Sequence, residues 1–344
     1  MAGRRRAARC AARPCRDDEL DTVLGCLLAH ALVGAAEAAA LARVCRAWRD
    51  APTLLTQIAI PGGGPEAAYP PSLLVRSLQA VRRCALRVEV LEIVGVTFAS
   101  GGWEALVEAL GEAPRLRRLK VDMCYWLGSC GPLAKNLDSG AWPALSELSL
   151  TRSDVSPEGV VAVGIAVGHR EGRGIQVLDF GCNGVGPVAD FFGDVTGYNS
   201  LRELRMAENG LGEAGMGALG ACLAAGGFPD IEILDVSNNW ATDDGVQALA
   251  IGLGKRDASL FGPVHLFLDS NSLGDPSFVA LQSIMRRPGL ETLSCCNNLL
   301  SMEVVKDLER IAGEVSLGSI DLRENPGCNA QAGETELPTD RAER

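Results

Sequence analysis

The sequence is poor in aromatic side chains, in histidine, and in basic residues outside one short segment. Aromatics make up 5% of its 344 residues, so its core has to be filled by Leu, Val and Ala. The only histidines are His30, His169 and His265, and none has a Cys, His or Glu at metal-ligand spacing. The twelve cysteines include no C-x-x-C pair, which excludes zinc-finger and thioredoxin-type frameworks. They read as reduced thiols, several of them buried as small hydrophobes. No Ser or Cys stands in a nucleophile elbow. No run approaches the roughly 20 apolar residues of a membrane span, and no secretory hydrophobic segment follows the start. These absences lead us to expect no catalytic residue, no metal, no cofactor and no membrane partner.

Apolar residues are abundant at 47%, and Gly occurs 40 times; the first allows a large core, the second many turns and close backbone approaches. Charge is unevenly spread. Residues 1–16 hold six arginines and no acid, while residues 17–344 hold 26 basic and 43 acidic side chains, a net charge of −17. Phosphate affinity needs a basic surface, so nucleic acid is not the expected ligand. An acidic body suits partners with basic or neutral surfaces. The arginine-rich start reads either as a nuclear-targeting or organelle-targeting segment or as a plain basic tail, in a protein otherwise expected in the cytoplasm.

One spacing recurs along most of the chain. Apolar residues fall at positions one, four, six and eleven of a short block, with Asn, Cys or Ser at position nine, save Val96 at position nine of the first block and Gly327 at position eleven of the last. The block can be laid down nine times, starting at Val88, Leu116, Leu145, Ile175, Leu201, Ile231, Pro263, Leu290 and Leu317. Successive starts lie 26 to 32 residues apart, and nine matches at a near-constant period are not chance. Positions four and six are two apart on a short strand, so both point to one inner face. The Asn at position nine (Asn183, Asn209, Asn239, Asn271, Asn298, Asn325) can bond backbone groups where the chain leaves each strand. Between the strands, helical spacing covers 103–110, 157–167, 215–223, 245–253, 277–285 and 302–311, with Asp243, Asp275 and Ser301 as helix starts.

Stretches such as Leu201-Arg-Glu-Leu-Arg-Met-Ala-Glu-Asn-Gly-Leu and Ile231-Glu-Ile-Leu-Asp-Val-Ser-Asn-Asn resemble the ribonuclease-inhibitor class of leucine-rich repeats. The resemblance covers residues 86–328. It implies an α/β horseshoe of about nine repeats with a parallel sheet on the concave side, helices on the convex side, and a role in binding proteins. Residues 329–344 lack periodicity and read as a disordered tail, as do residues 1–16.

Residues 17–60 have a different pattern, with three helical stretches carrying Leu20, Val23 and Leu24 early and Val44, Cys45 and Trp48 late. Asp18-Glu19-Leu20 and above all Ala42-Arg-Val-Cys-Arg-Ala-Trp-Arg49 resemble the F-box. That resemblance implies a Skp-type adaptor and cullin complex as partner, held by Leu20, Leu24, Val44 and Trp48. The other reading is a helical cap over the open end of the solenoid. Residues 61–85, with Pro61-Gly-Gly-Gly-Pro65, read as linker and cap.

Gly210-Leu-Gly-Glu-Ala-Gly215 matches a dinucleotide fingerprint, but the repeat accounts for it without a ligand, since Leu211 is an eleventh position. Positions three, five and seven alternate away from the core and form the expected partner-binding face. Its candidate residues are Arg118, Lys120, Asp179, Arg205, Asp235, His265, Phe267 and Asp269, with Arg205 and Phe267 as anchors. Two functions fit. One is the substrate-recognition subunit of a cullin-type ubiquitin ligase, binding an unknown target. The other is a scaffold or small-GTPase regulator like the Ran GTPase-activating proteins, which share the repeat class at fold level only.

Overall fold

The computed structural model describes residues 88–329 except 96, 99–100, 112, 126, 170–173, 194–197 and 258–261, together with the backbone of 57–61 and 68–69. One parallel sheet of ten strands runs through them: β1 (Gln57–Pro61), β3 (Val90–Val94), β5 (Arg118–Asp122), β6 (Glu147–Thr151), β7 (Val177–Asp179), β8 (Glu203–Arg205), β9 (Ile233–Asp235), β10 (His265–Phe267), β11 (Thr292–Ser294) and β12 (Ser319–Asp321). The strands neighbour one another in chain order. Two further short strands, β2 (Ala68–Tyr69) and β4 (Thr97–Phe98), pair in parallel beside it.

From β3 onward each step from strand to strand crosses a helix on the same side: α1 (Gly102–Ala109), α2 (Gly131–Asp138), α3 (Pro157–Gly168), α4 (Ala189–Gly193), α5 (Gly212–Ala224), α6 (Asp243–Lys255), α7 (Phe278–Met285) and α8 (Met302–Val315), with a last turn α9 (Pro326–Asn329). This is a solenoid with one sheet and one helical layer around a single core. The repeat explains its stability. A strand and helix of about 28 residues cannot bury themselves alone, but stacked copies can. Position four is buried in the first eight repeats, from Leu91 through Leu204 to Leu293, as is position six, from Ile93 through Met206 to Cys295. In the last repeat Leu317 and Ile320 are only partly covered, as the open end of such a stack requires.

The position-nine residues form the expected ladder. The Asn239 amide oxygen accepts from Asn209 N (3.1 Å) and Leu211 N (3.2 Å), and its amide nitrogen donates to Met206 O (2.8 Å) and Ser237 O (3.0 Å). Asn271 does the same for repeat six and Asn298 for repeat seven. Ser153 fills the slot with a shorter reach, accepting from Cys124 N (3.2 Å) and donating to Thr151 O (2.6 Å).

Several elements add to the sequence reading, among them the short α4 and α9 and the β2–β4 pair. β1 extends the sheet by one strand through Gln57–Pro61, residues that the sequence divides between the helical module and the linker. Its Ile58 and Ile60 stand in register with Leu91 and Ile93, but no Asn follows at the ninth position, where the chain has Gly63. The helix α2 was not expected; Pro132 sits in its first turn and Leu133 and Leu137 form its buried side. Asp275–Ser277 is a 3₁₀ turn before α7. The helix starts at Asp243 and Ser301 agree with expectation: Asp243 is the first residue of α6, and Ser301 caps α8 by accepting from Val304 N.

Two packing devices set the helical layer. The short α4 contributes Phe191 and Phe192, which meet Phe180 and Tyr198 in a buried aromatic cluster; Gly164 of α3 leaves room for it, since a Cβ there would stand 2.4 Å from Phe191. Between α5 and α6 the backbones themselves touch. A Cβ on Gly252 would lie 2.1 Å from Gly220 O, and one on Gly220 would lie 2.6 Å from Ala248 O. The buried thiols are inert by environment: burial pushes Cys130 and Cys222 up to about 12 and raises Cys295 well above its ordinary value.

Candidate protein-binding face

The side of the sheet away from the helices carries positions three, five and seven. Parallel register aligns them in rows. The position-five row reads Glu92, Lys120, Ser149, Asp179, Arg205, Asp235, Phe267, Ser294, Asp321. Arg205 therefore stands between Asp179 and Asp235 on neighbouring strands.

A groove of about 510 Å³ opens on this face over β5 to β9. It brings together Lys120, Asp179, Arg205 and Asp235 from the expected set. Arg118, His265, Phe267 and Asp269 lie on the same face outside its lining. Arg118 instead pairs with Glu147 at 2.6 Å. The His265 ring nitrogen bonds Thr292 Oγ1 at 3.0 Å. Asp269 accepts from Cys296 N at 2.7 Å and from Ser294 Oγ. Leu20, Leu24, Val44 and Trp48, expected to hold an adaptor, lie outside the described residues.

The groove's basic groups are mostly occupied. Arg152 grips Asp122 through Nε (3.0 Å) and Nη2 (2.8 Å), while Thr151 Oγ1 donates to the same carboxylate at 2.8 Å. Burial works to raise the Asp122 carboxyl, but the bonds from Arg152 and Thr151 outweigh it and hold the group below its ordinary value. Arg205 donates to Glu203 at 2.8 Å. Lys120 and the carboxylates Asp179 and Asp235 complete the charged lining. Burial raises the Asp179 carboxyl, against the opposing pull of the Gly181 N–H, which it accepts at 2.9 Å, and of Arg205; the charge of Asp235 pushes it up further.

Arg152 and Cys182 belong to the groove but escape strand alternation. Both occupy position eight, just past the strand, in left-handed backbone with φ of 51° and 60°. The Gly210–Gly215 motif is filled by the protein itself. The benzo ring of Trp240 lies against Gly210, and Gly215 packs on Leu211. Trp240 is 71% exposed, and only its place at the unspecified tenth position of the block marked it in the sequence. Among the described residues no cluster of three or more His, Cys, Asp and Glu is placed to hold a metal, and no helix is long and apolar enough to cross a membrane.

The Leucine Rich repeat family profile matches residues 229–250, from the turn before β9 into α6. Residues 229–250 thus match a leucine-rich repeat, and the parallel sheet carries the same strand-and-helix unit along the described residues. The Tonsoku-like protein of Mus musculus is 39% identical to it over 97 residues, 28% of this chain and 7% of that protein. The Tonsoku-like protein of Bos taurus is 38% identical over 89 residues, 26% of this chain and 6% of that protein. The chain thus spans only a small part of the curated relatives it matches. A leucine-rich-repeat sheet of this kind implies protein–protein interaction.

Proposed function

We propose that this leucine-rich-repeat protein is a non-catalytic binding module whose groove over β5 to β9 takes basic side chains of a partner protein. The observation that carries the reading is the Asp179–Arg205–Asp235 row, where the one cation between the two carboxylates is already bonded to Glu203. Asp179 has a cost in the unliganded protein. Its folded pKa is raised above its unfolded value, so its contribution to stability is fully present below the ordinary aspartate pKa and is lost as pH rises through the folded value. A carboxylate retained against stability in a groove fits a ligand of opposite charge.

The test is Asp179→Asn with Asp235→Asn. The amide oxygen introduced at position 179 can still accept from Gly181 N. The double variant should therefore melt at or above the wild-type temperature near neutral pH, with the gain vanishing below about pH 4. Proteins captured from cell extract by the wild type at low salt should be lost from the variant. Equal retention of those partners by both proteins would overturn the reading.

A finer reading places the module in a cullin-type ubiquitin ligase as the target-binding subunit. Its support is the stretch Ala42–Arg49 with its Val44-Cys45 and Trp48. It predicts that the full chain binds a purified Skp-type adaptor and that Leu24→Ala with Trp48→Ala removes the binding. Absence of adaptor binding by the wild type would leave residues 17–60 with the end-capping reading alone.

A further inference from the structure

The strand-exit edge of the solenoid carries a second surface, distinct from the groove. Among the described residues, two of the three most exposed large apolar side chains are Trp240 at 71% and Leu299 at 62%. Both occupy the tenth position of their repeats, six and eight. Trp240 also holds a left-handed backbone, φ 56°, at a position where sister repeats place Gly184, Gly210 and Asp154. A bulky side chain is disfavoured there, and neither burial nor a strand explains it. Gly210 makes room for the ring: a Cβ on Gly210 would come within 3.2 Å of it. The indole is thus seated on the backbone of the preceding repeat with most of its surface in solvent.

The stretch of chain that carries it has charge of one sign. From residue 206 to residue 254 there are seven carboxylates and no Lys or Arg. Asp243 is occupied by Gly274 N and Ser277 Oγ, and Glu232 by Arg202. Glu208, Glu213 and Asp244 are exposed at the strand exits and helix starts of repeats five and six. They make no ion pair among the described residues.

We propose that Trp240 is the anchor for an arginine or lysine side chain of an extended basic segment of a partner protein, laid along the strand-exit edge toward Leu299. A guanidinium or ammonium over an indole face is attracted by the ring quadrupole, and Glu208, Glu213 and Asp244 supply the neutralising charge. Such a segment would continue over the sheet to Asp235 and Asp179. The proposal rests on the reading of a basic partner and assigns its edge contact.

The probe is a synthetic peptide of alternating arginine and glycine, with a citrulline–glycine peptide as the uncharged counterpart of equal shape. Titrated into the full chain, the arginine peptide should shift the indole N–H resonance that disappears in Trp240→Phe. The citrulline peptide should bind more weakly and leave that resonance in place. Trp240→Gly should weaken the arginine peptide about fivefold, with a melting temperature unchanged or raised, because glycine suits the left-handed backbone. Wild-type affinity in Trp240→Gly, or equal binding of the citrulline peptide, overturns the proposal. If Asp179→Asn with Asp235→Asn loses the peptide while Trp240→Gly keeps it, the groove stands and the anchor falls. If only Trp240→Gly loses it, the anchor stands and the groove reading fails.

Discussion

Asn239→Ala should lower the stability of the solenoid by about 2–6 kcal/mol, because it leaves two buried N–H groups without an acceptor at about 1–3 kcal/mol each. Those groups are Asn209 N and Leu211 N, and the carbonyls of Met206 and Ser237 lose their donor in the same step. Asn239 is fully buried, so water cannot substitute without opening the turn. Asn325→Ala in the last repeat should cost less, since its amide oxygen accepts only Leu300 N. Chemical denaturation of the two variants checks the gradient. Equal losses at both positions would show that the ladder contributes rung by rung regardless of neighbours. Because solenoid repeats unfold by nearest-neighbour coupling, the Asn239 loss should appear in hydrogen exchange first in repeats five and six.

Gly252→Val should cost about 3 kcal/mol or more, at the upper end of overpacking effects. The obstacle is rigid: the new Cβ would face the carbonyl oxygen, carbonyl carbon and Cα of Gly220 on a neighbouring helix, all closer than 2.7 Å. Side-chain rotation cannot relieve a backbone contact, so α5 and α6 must separate. The control is Gly217→Ala on α5, where a Cβ meets nothing within 4 Å; it should stabilise by about 0.5–1 kcal/mol through helix propensity alone. Thermal melting should separate the pair in opposite directions. A tolerated Gly252→Val would mean that the two helices are not in contact in solution.

The nine strands of the repeats and most helices were legible because each repeat writes the same physical requirement. Leu204 and Met206 are two apart, so they share a face; Asn209 follows where the strand ends and its donors need partners. Repetition turns a weak local signal into a strong one. β1 was not legible: Ile58 and Ile60 stand in register with Leu91 and Ile93, but Gly63 and Pro65 occupy the places of the block's ninth and eleventh residues. Nor was α2, which is two turns long with only Leu133 and Leu137 to mark it. On the binding face, alternation located Lys120, Asp179, Arg205 and Asp235 correctly. It could not say that Arg118 would be drawn to Glu147, or that Arg152 would swing in from a left-handed residue to hold Asp122. Trp240 escaped for a related reason: the tenth position has no preferred residue, so an unusual one there breaks no rule.

The touching glycines of α5 and α6 also bear on geometry. Neighbouring strands are held about 4.8 Å apart by hydrogen bonding, whereas packed helices usually stand about 8–10 Å apart. Each repeat is therefore a wedge, and the wedge angle bends the stack. Where Gly220 and Gly252 bring two helices to backbone contact, the wedge thins and the arc flattens. The sheet surface at β8 and β9, with Arg205 and Asp235, then lies flatter than bulkier residues at 220 and 252 would leave it. Such a floor suits a chain lying flat across several strands better than a rounded knob pressed into a hollow.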